Sequence, residues 1–194
     1  MRMKSNLLCG VGINDADYVV YPTINGKRVM CPFYMTWKHM IARCYSKVFQ
    51  EKHPTYIGCY VVDEWHTFSN FKAWMQTQDW KGKDLDKDLK VLGNKVYGPD
   101  TCMFIPPLIN TFINVPIHGK SKLGVSYYPY KVRNKYIVRI RKYGKHYHIG
   151  SFDNEDEAHE AYNEERKKYM LEVAENSEPK VKKLLLKLVE GQFK

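Results

Sequence analysis

The chain has 194 residues, 44% of them hydrophobic, and a formal net charge of +10. That much apolar side chain can build a core, which excludes a disordered chain. No run reaches the roughly 20 apolar residues of a membrane helix, and the opening MRMKSNLLCG lacks a signal peptide's apolar stretch. The five cysteines, Cys9, Cys31, Cys44, Cys59 and Cys102, are odd in number and irregularly spaced. They read as reduced thiols of a cytoplasmic protein, and mostly as small core residues. No Cys-x-x-Cys pair is present, so no structural zinc is expected.

In chain order, Asn25-Gly26 marks a hairpin turn between YVVYPTI and KRVMCPF. From Phe33 to Val48 apolar residues recur at helical spacing (Trp37, Met40, Ile41, Cys44, Tyr45, Val48), and His53-Pro54 ends that helix. YIGCYVVDEW is a short apolar run, open between strand and loop. TFSNFKAWMQTQDW predicts a helix capped by Thr67 or Ser69, with Phe68, Phe71 and Trp74 on one face. KDLDKDLKV alternates as a strand, Gly93-Asn94 turns, and TCMFIPPLINTF begins apolar. The Pro/Gly/Lys segment NVPIHGKSK then places a domain boundary near Gly119, giving domains 1–119 and 120–194.

Charge separates these regions. Residues 1–119 carry 14 Lys and Arg against 10 Asp and Glu; residues 120–150 carry 9 against none; residues 151–194 carry 8 against 11. A 31-residue block without a carboxylate is a concentrated basic surface, and phosphate is its natural partner. The block reads as three strands, LGVSYYPY, KYIVRIRKYG and KHYHIGSF, with a tight turn at Gly144-Lys145. DNEDEAHEAYNEERKKYML predicts a helix capped by Asp153 or Asn154, with Arg166, Lys167 and Lys168 near its end to suit the dipole. A last helix, PKVKKLLLKLVEG, follows Pro179 and stops at Gly191. By the period of two, Tyr136, Val138 and Ile140 face that first helix, while Ile137, Arg139, Arg141 and Tyr143 face away. His146 and His148 share one face of the third strand, and Tyr147 and Ile149 the other.

The stretch LGVSYYPYKVRNKYIVRIRKYGKHYHIGSFDNEDEAHEAYNEE resembles the AP2/ERF DNA-binding domain. The likeness rests on Gly124-Val125, the strand Tyr136 to Arg141, Ile149-Gly150-x-Phe152, and the acidic cap before Ala158 and Ala161-Tyr162. It implies a sheet lying in the major groove of double-stranded DNA, with Ser126, Tyr128, Tyr130, Arg139, Arg141, His146 and His148 at the contacting positions. The plant members use arginine and tryptophan at most of these places, so their target does not carry over.

Such modules also follow the catalytic core of phage-type HNH homing endonucleases, and LDKDLKVLGNKVYGPDTCMFIPPLIN resembles that core. The resemblance implies a ββα-metal fold around Mg²⁺ or Mn²⁺. Asp86 and Asn110 would be metal ligands, Asn94 the loop residue that orients the base, and Asp88 a further base or ligand. Lys87 stands where the family has its general-base histidine; Asp86 and Asp88 flank it and oppose deprotonation. His53 and His66 are other histidines the fold could bring in. The reading is an α+β protein: an HNH-like domain with helical embellishment, then a three-stranded antiparallel sheet packed on a helix, then a C-terminal helix. The expected function is a metal-dependent homing-type DNA endonuclease in the cytoplasm of a bacterial host. The alternatives are a catalytically inactive DNA-binding protein or regulator on a degenerate core, and a module that meets an acidic protein.

Overall fold

The computed structural model describes residues 7–113, 122–129 and 135–192, and it divides into two units, Met1–Pro106 and Pro107–Lys194. The boundary expected near Gly119 lies outside the described residues. The fold is mixed α+β: among the described residues it has six α-helices and several small sheets, one of them three-stranded and antiparallel.

In the first unit, β1 (Thr23–Ile24) and β2 (Lys27–Arg28) form the expected hairpin. Asn25 and Gly26 both have positive φ, 50° and 75°, as the favoured two-residue hairpin turn requires. Helix α1 (Pro32–Tyr45) buries Trp37, Met40, Ile41 and Cys44. The helix expected to run on to Val48 breaks at Ser46, and α2 (Lys47–Lys52) starts anew. Two side chains make that break: Ser46 accepts the Phe49 N–H, and Gln50 donates to the carbonyls of Arg43, Cys44 and Tyr56. The orphan carbonyls at the end of α1 are thereby satisfied.

The ambiguous run becomes β3 (Tyr60–Val61) followed by a 3₁₀ turn over Asp63–His66, and then α3 (Phe68–Gln76). Thr67 holds the N-cap position of α3 but makes no capping bond. Asp15, far back in the sequence, takes that role: its carboxylate accepts the Ser69 N–H at 2.9 Å and the Ser69 hydroxyl. A carboxylate there also complements the helix dipole. Strand β4 (Asp84–Asp86) is shorter than expected, because Lys87 onward turns away. It pairs antiparallel with β6 (Met103–Ile105), while β5 (Val96–Tyr97) pairs parallel with β3. Trp37, Trp65, Phe68, Phe71, Met75, Tyr97 and Phe104 join one core, and the Trp37 indole N–H donates to the Trp65 carbonyl at 2.7 Å.

The second unit opens with α4 (Pro107–Ile113) and continues with β7 (Val125–Tyr128), β8 (Lys135–Lys142) and β9 (Lys145–Phe152) in the order β7-β8-β9. The tight turn is Tyr143-Gly144 rather than Gly144-Lys145, since Lys142 pairs with Lys145. Helix α5 (Glu155–Glu175) covers one face of the sheet; Asn154 caps it by accepting the Asp156 N–H, and Val125, Val138 and Ala158 form a small core. Fully burying each of the two valines is worth about 1.5–3 kcal/mol. Helix α5 runs further than expected, so Arg166 lies mid-helix, buried, donating to the Phe112 carbonyl and to Gln192. Burial, not the dipole, explains that residue. Helix α6 (Pro179–Gln192) continues through Gly191 and buries Val181, Leu185, Leu188 and Val189.

Candidate functional site

Antiparallel register fixes which side chains of the sheet share a face. Arg139 pairs with His148, Arg141 with His146, Ser126 with Ile137 and Tyr128 with Lys135. Val138 and Ile140, which alternate with the arginines, are buried, whereas Arg139, Arg141, His146, His148, Ser126 and Tyr128 are exposed. The expected two-faced pattern holds along β8 for Val138, Arg139, Ile140 and Arg141, and two Arg–His pairs sit side by side across β8 and β9. Tyr143, expected to face away with the arginines, instead lies in the turn, with its ring 5.2 Å from Tyr169 of α5 and its hydroxyl donating to Glu172. A second detail also escaped the period-two rule. Ile149 is unpaired, because Val138 faces Gly150 while Arg139 faces His148. This bulge turns Gly150 to the helix side and brings exposed Ser151 onto the open face opposite Ile137. Tyr130 lies outside the described residues.

Charge is sorted across this layer. Lys122 pairs with Asp156, Lys135 with Asp153 and Lys142 with Glu165. The Lys142 bond holds the Glu165 carboxyl below its usual range. The carboxylates of α5 and its cap thus neutralise lysines at the margins of the sheet. Among the described residues neither Arg139 nor Arg141 has an ion-pair partner; Arg141 only reaches the Gly144 carbonyl at 3.4 Å. The open face keeps its positive charge and its planar donors.

The acidic stretch in the first unit is organised differently. Asp86 is 4% exposed, and its Oδ1 accepts the N–H groups of Asp88 at 3.0 Å and Leu89 at 2.7 Å. Burial pushes its carboxyl above the usual carboxylate range, against the pull of those N–H donors. Lys87 is 6% exposed; its ammonium donates to both Asp88 oxygens, at 2.7 and 2.8 Å, and to the Asn94 carbonyl at 2.6 Å. The Asn94 amide returns the favour, donating to the carbonyls of Lys87 and Val96 and accepting the Val96 N–H. Lys87 and Asn94 thus clamp the loop between β4 and β5. An ammonium that gives three hydrogens to three acceptors has no lone pair with which to take a proton.

No protein-family model matches this chain, and neither does any curated protein or solved structure.

The remaining residues singled out in the sequence have plain surroundings. Asn110 lies on α4 in the second unit, and Asp86 in the first. His66 meets the Tyr45 hydroxyl at 3.0 Å, and His53 packs against the Phe49 ring at the end of α2. Cys44, Cys59 and Cys102 are buried; burial pushes the Cys44 and Cys102 thiols up to about 12, so they stay protonated. Among the described residues no three His, Cys, Asp or Glu side chains converge as a metal site.

Proposed function

We propose that this chain is a double-stranded DNA-binding protein that reads its target with the open face of the β7–β8–β9 sheet. The observation that carries this reading is the sorting of charge just described. Arg139 and Arg141 project from the central strand without counter-ions among the described residues, beside His146, His148, Ser126 and Tyr128. Guanidinium forks, imidazoles and hydroxyls are the groups that meet base edges and phosphates in a groove. The AP2/ERF resemblance points the same way.

A second reading adds metal-dependent phosphodiester cleavage. It is favoured by the chain order β4, β6, α4, with Asp86 on the first strand and Asn110 on the helix, the order of a ββα-metal core. Under this reading Asp86 would be a ligand for Mg²⁺ or Mn²⁺, and the ion would stabilise charge on the phosphate. Against it stands the closed hydrogen bonding of Asp86, Lys87, Asp88 and Asn94, which supports a structural role for the loop. A degenerate core serving DNA binding fits that geometry better.

One experiment addresses both. Arg139→Ala and Arg141→Ala are titrated with labelled genomic duplexes beside a thermal melt. Each is expected to lose about 1–3 kcal/mol of affinity with an unchanged melt; unchanged affinity in both removes the proposed face. In parallel, wild-type protein is incubated with plasmid and Mg²⁺, Mn²⁺ or EDTA. Nicks that vanish with EDTA would establish the second reading.

A further inference from the structure

We infer that the hairpin β1–β2 is a second DNA-contacting element, a β-ribbon that enters a groove of its own. This rests on the DNA-binding reading above. The ribbon is longer than its two named strands, because Val29 N–H donates to the Pro22 carbonyl and Cys31 N–H to the Val20 carbonyl. It is rooted where Val20 packs on the core and where α1 begins, and every residue from Thr23 to Val29 is exposed. At about 3.4 Å per residue, the arm from Val20 to Ile24 reaches roughly 14 Å, more than the ~8.5 Å depth of the major groove, which admits a two-stranded ribbon.

Its chemistry is that of a nucleic-acid surface. Residues 18–50 contain five Lys and Arg and no Asp or Glu, a second carboxylate-free run of 33 residues. Lys27 and Arg28 follow the turn, and the Arg28 guanidinium lies 4.9 Å over the Tyr21 ring. At the root, Lys72 of α3 sits 4.5 Å over the Tyr18 ring. Exposed apolar side chains near these cations include Val19, Ile24 and Val29. Apolar groups of this kind meet thymine methyls and sugar edges, while the cations take the flanking phosphates. A two-stranded hairpin alone is marginal in water, and an exposed apolar tip gives a monomer no stability of its own.

The test uses the full chain and a duplex of about 40 base pairs carrying its preferred site. Lys27→Ala/Arg28→Ala is compared with wild type and with Arg139→Ala/Arg141→Ala by hydroxyl-radical footprinting and by the salt dependence of affinity. The hairpin variant is expected to lose protection of one segment of the footprint, different from the segment lost by the Arg139→Ala/Arg141→Ala variant. Its slope of log affinity against log salt should shrink by about 1.8, near 0.9 for each of two phosphates. Ile24→Ser, which leaves the charge intact, should weaken the same segment of the footprint as Lys27→Ala/Arg28→Ala without altering the slope. Footprint and slope equal to wild type in both hairpin variants overturn the inference while leaving the sheet reading intact. A wild-type chain that protects no DNA overturns both. A thermal melt accompanies each variant; the altered side chains are exposed, so the melt stays where it is, and a lowered melt with a uniformly weakened footprint would count against a groove contact.

Discussion

Lys87 spends its ammonium on Asp88 and Asn94, and this decides what a substitution there does. Lys87→Met keeps the length but strands the Asp88 carboxylate and the Asn94 carbonyl. Breaking a buried ion pair costs about 3–5 kcal/mol; since Asp88 retains some solvent, the loss should fall at the low end of that range, read from urea denaturation. Asp86 behaves oppositely. Its folded pKa is raised by burial, so the folded state holds its proton at a pH where the unfolded chain has released it. Stability from this group is therefore greatest at low pH and falls as pH climbs from the ordinary carboxylate range through the raised folded value. Asp86→Asn keeps the acceptor for Leu89 and Asp88 and removes the ionisation. It should flatten the stability profile over that window and be neutral or stabilising at pH 7. A steep loss at pH 7 would mean that the ionised carboxylate has a partner worth more than its burial. Under the endonuclease reading the same variant would abolish metal-dependent nicking.

At the scale of elements, Gly124 carries the sharpest constraint. Its φ is +77°, and a Cβ there would stand 2.1 Å from the Tyr162 ring. Gly124→Ala must displace the Tyr162 ring or unseat β7, at a cost above the usual 1–3 kcal/mol of overpacking; a melt within a degree of wild type would refute it. What the sequence revealed of the elements followed local periodicity. Alternation gave the two faces of β8, and Asn25-Gly26 gave its hairpin, because each signal lies within a few residues of its effect. What it hid was nonlocal. The cap of α3 comes from Asp15, the end of α1 from Gln50, and the burial of Arg166 from Phe112 and Gln192. The bulge at Ile149 leaves no mark in composition, so nothing local places Ser151 on the open face. Of the candidate residues, the sheet arginines and histidines were readable by face. The hydrogen bonds of Asp86, Lys87 and Asn94 needed the fold of the loop.

For the whole molecule, each unit has its own buried cluster, and the described part of the proposed DNA face lies in the second. A fragment of residues 107–194 should therefore fold and bind duplex DNA with the sheet's footprint alone, measured by circular dichroism and footprinting. An unfolded fragment would show that the second unit draws its stability from the first. The sorting of charge across the second unit has a further consequence, for kinetics. A carboxylate-free block of +9 is followed by a segment of −3, and the latter's helix backs the open sheet. Such a domain has an electric moment, and a polyanion's field turns it before any side chain touches. If DNA is the partner proposed above, encounters begin with the sheet leading, so fewer collisions are wasted on the wrong face. Neutralising Arg139 and Arg141 would slow arrival as well as hasten departure, and added salt would shorten the distance over which the molecule is turned.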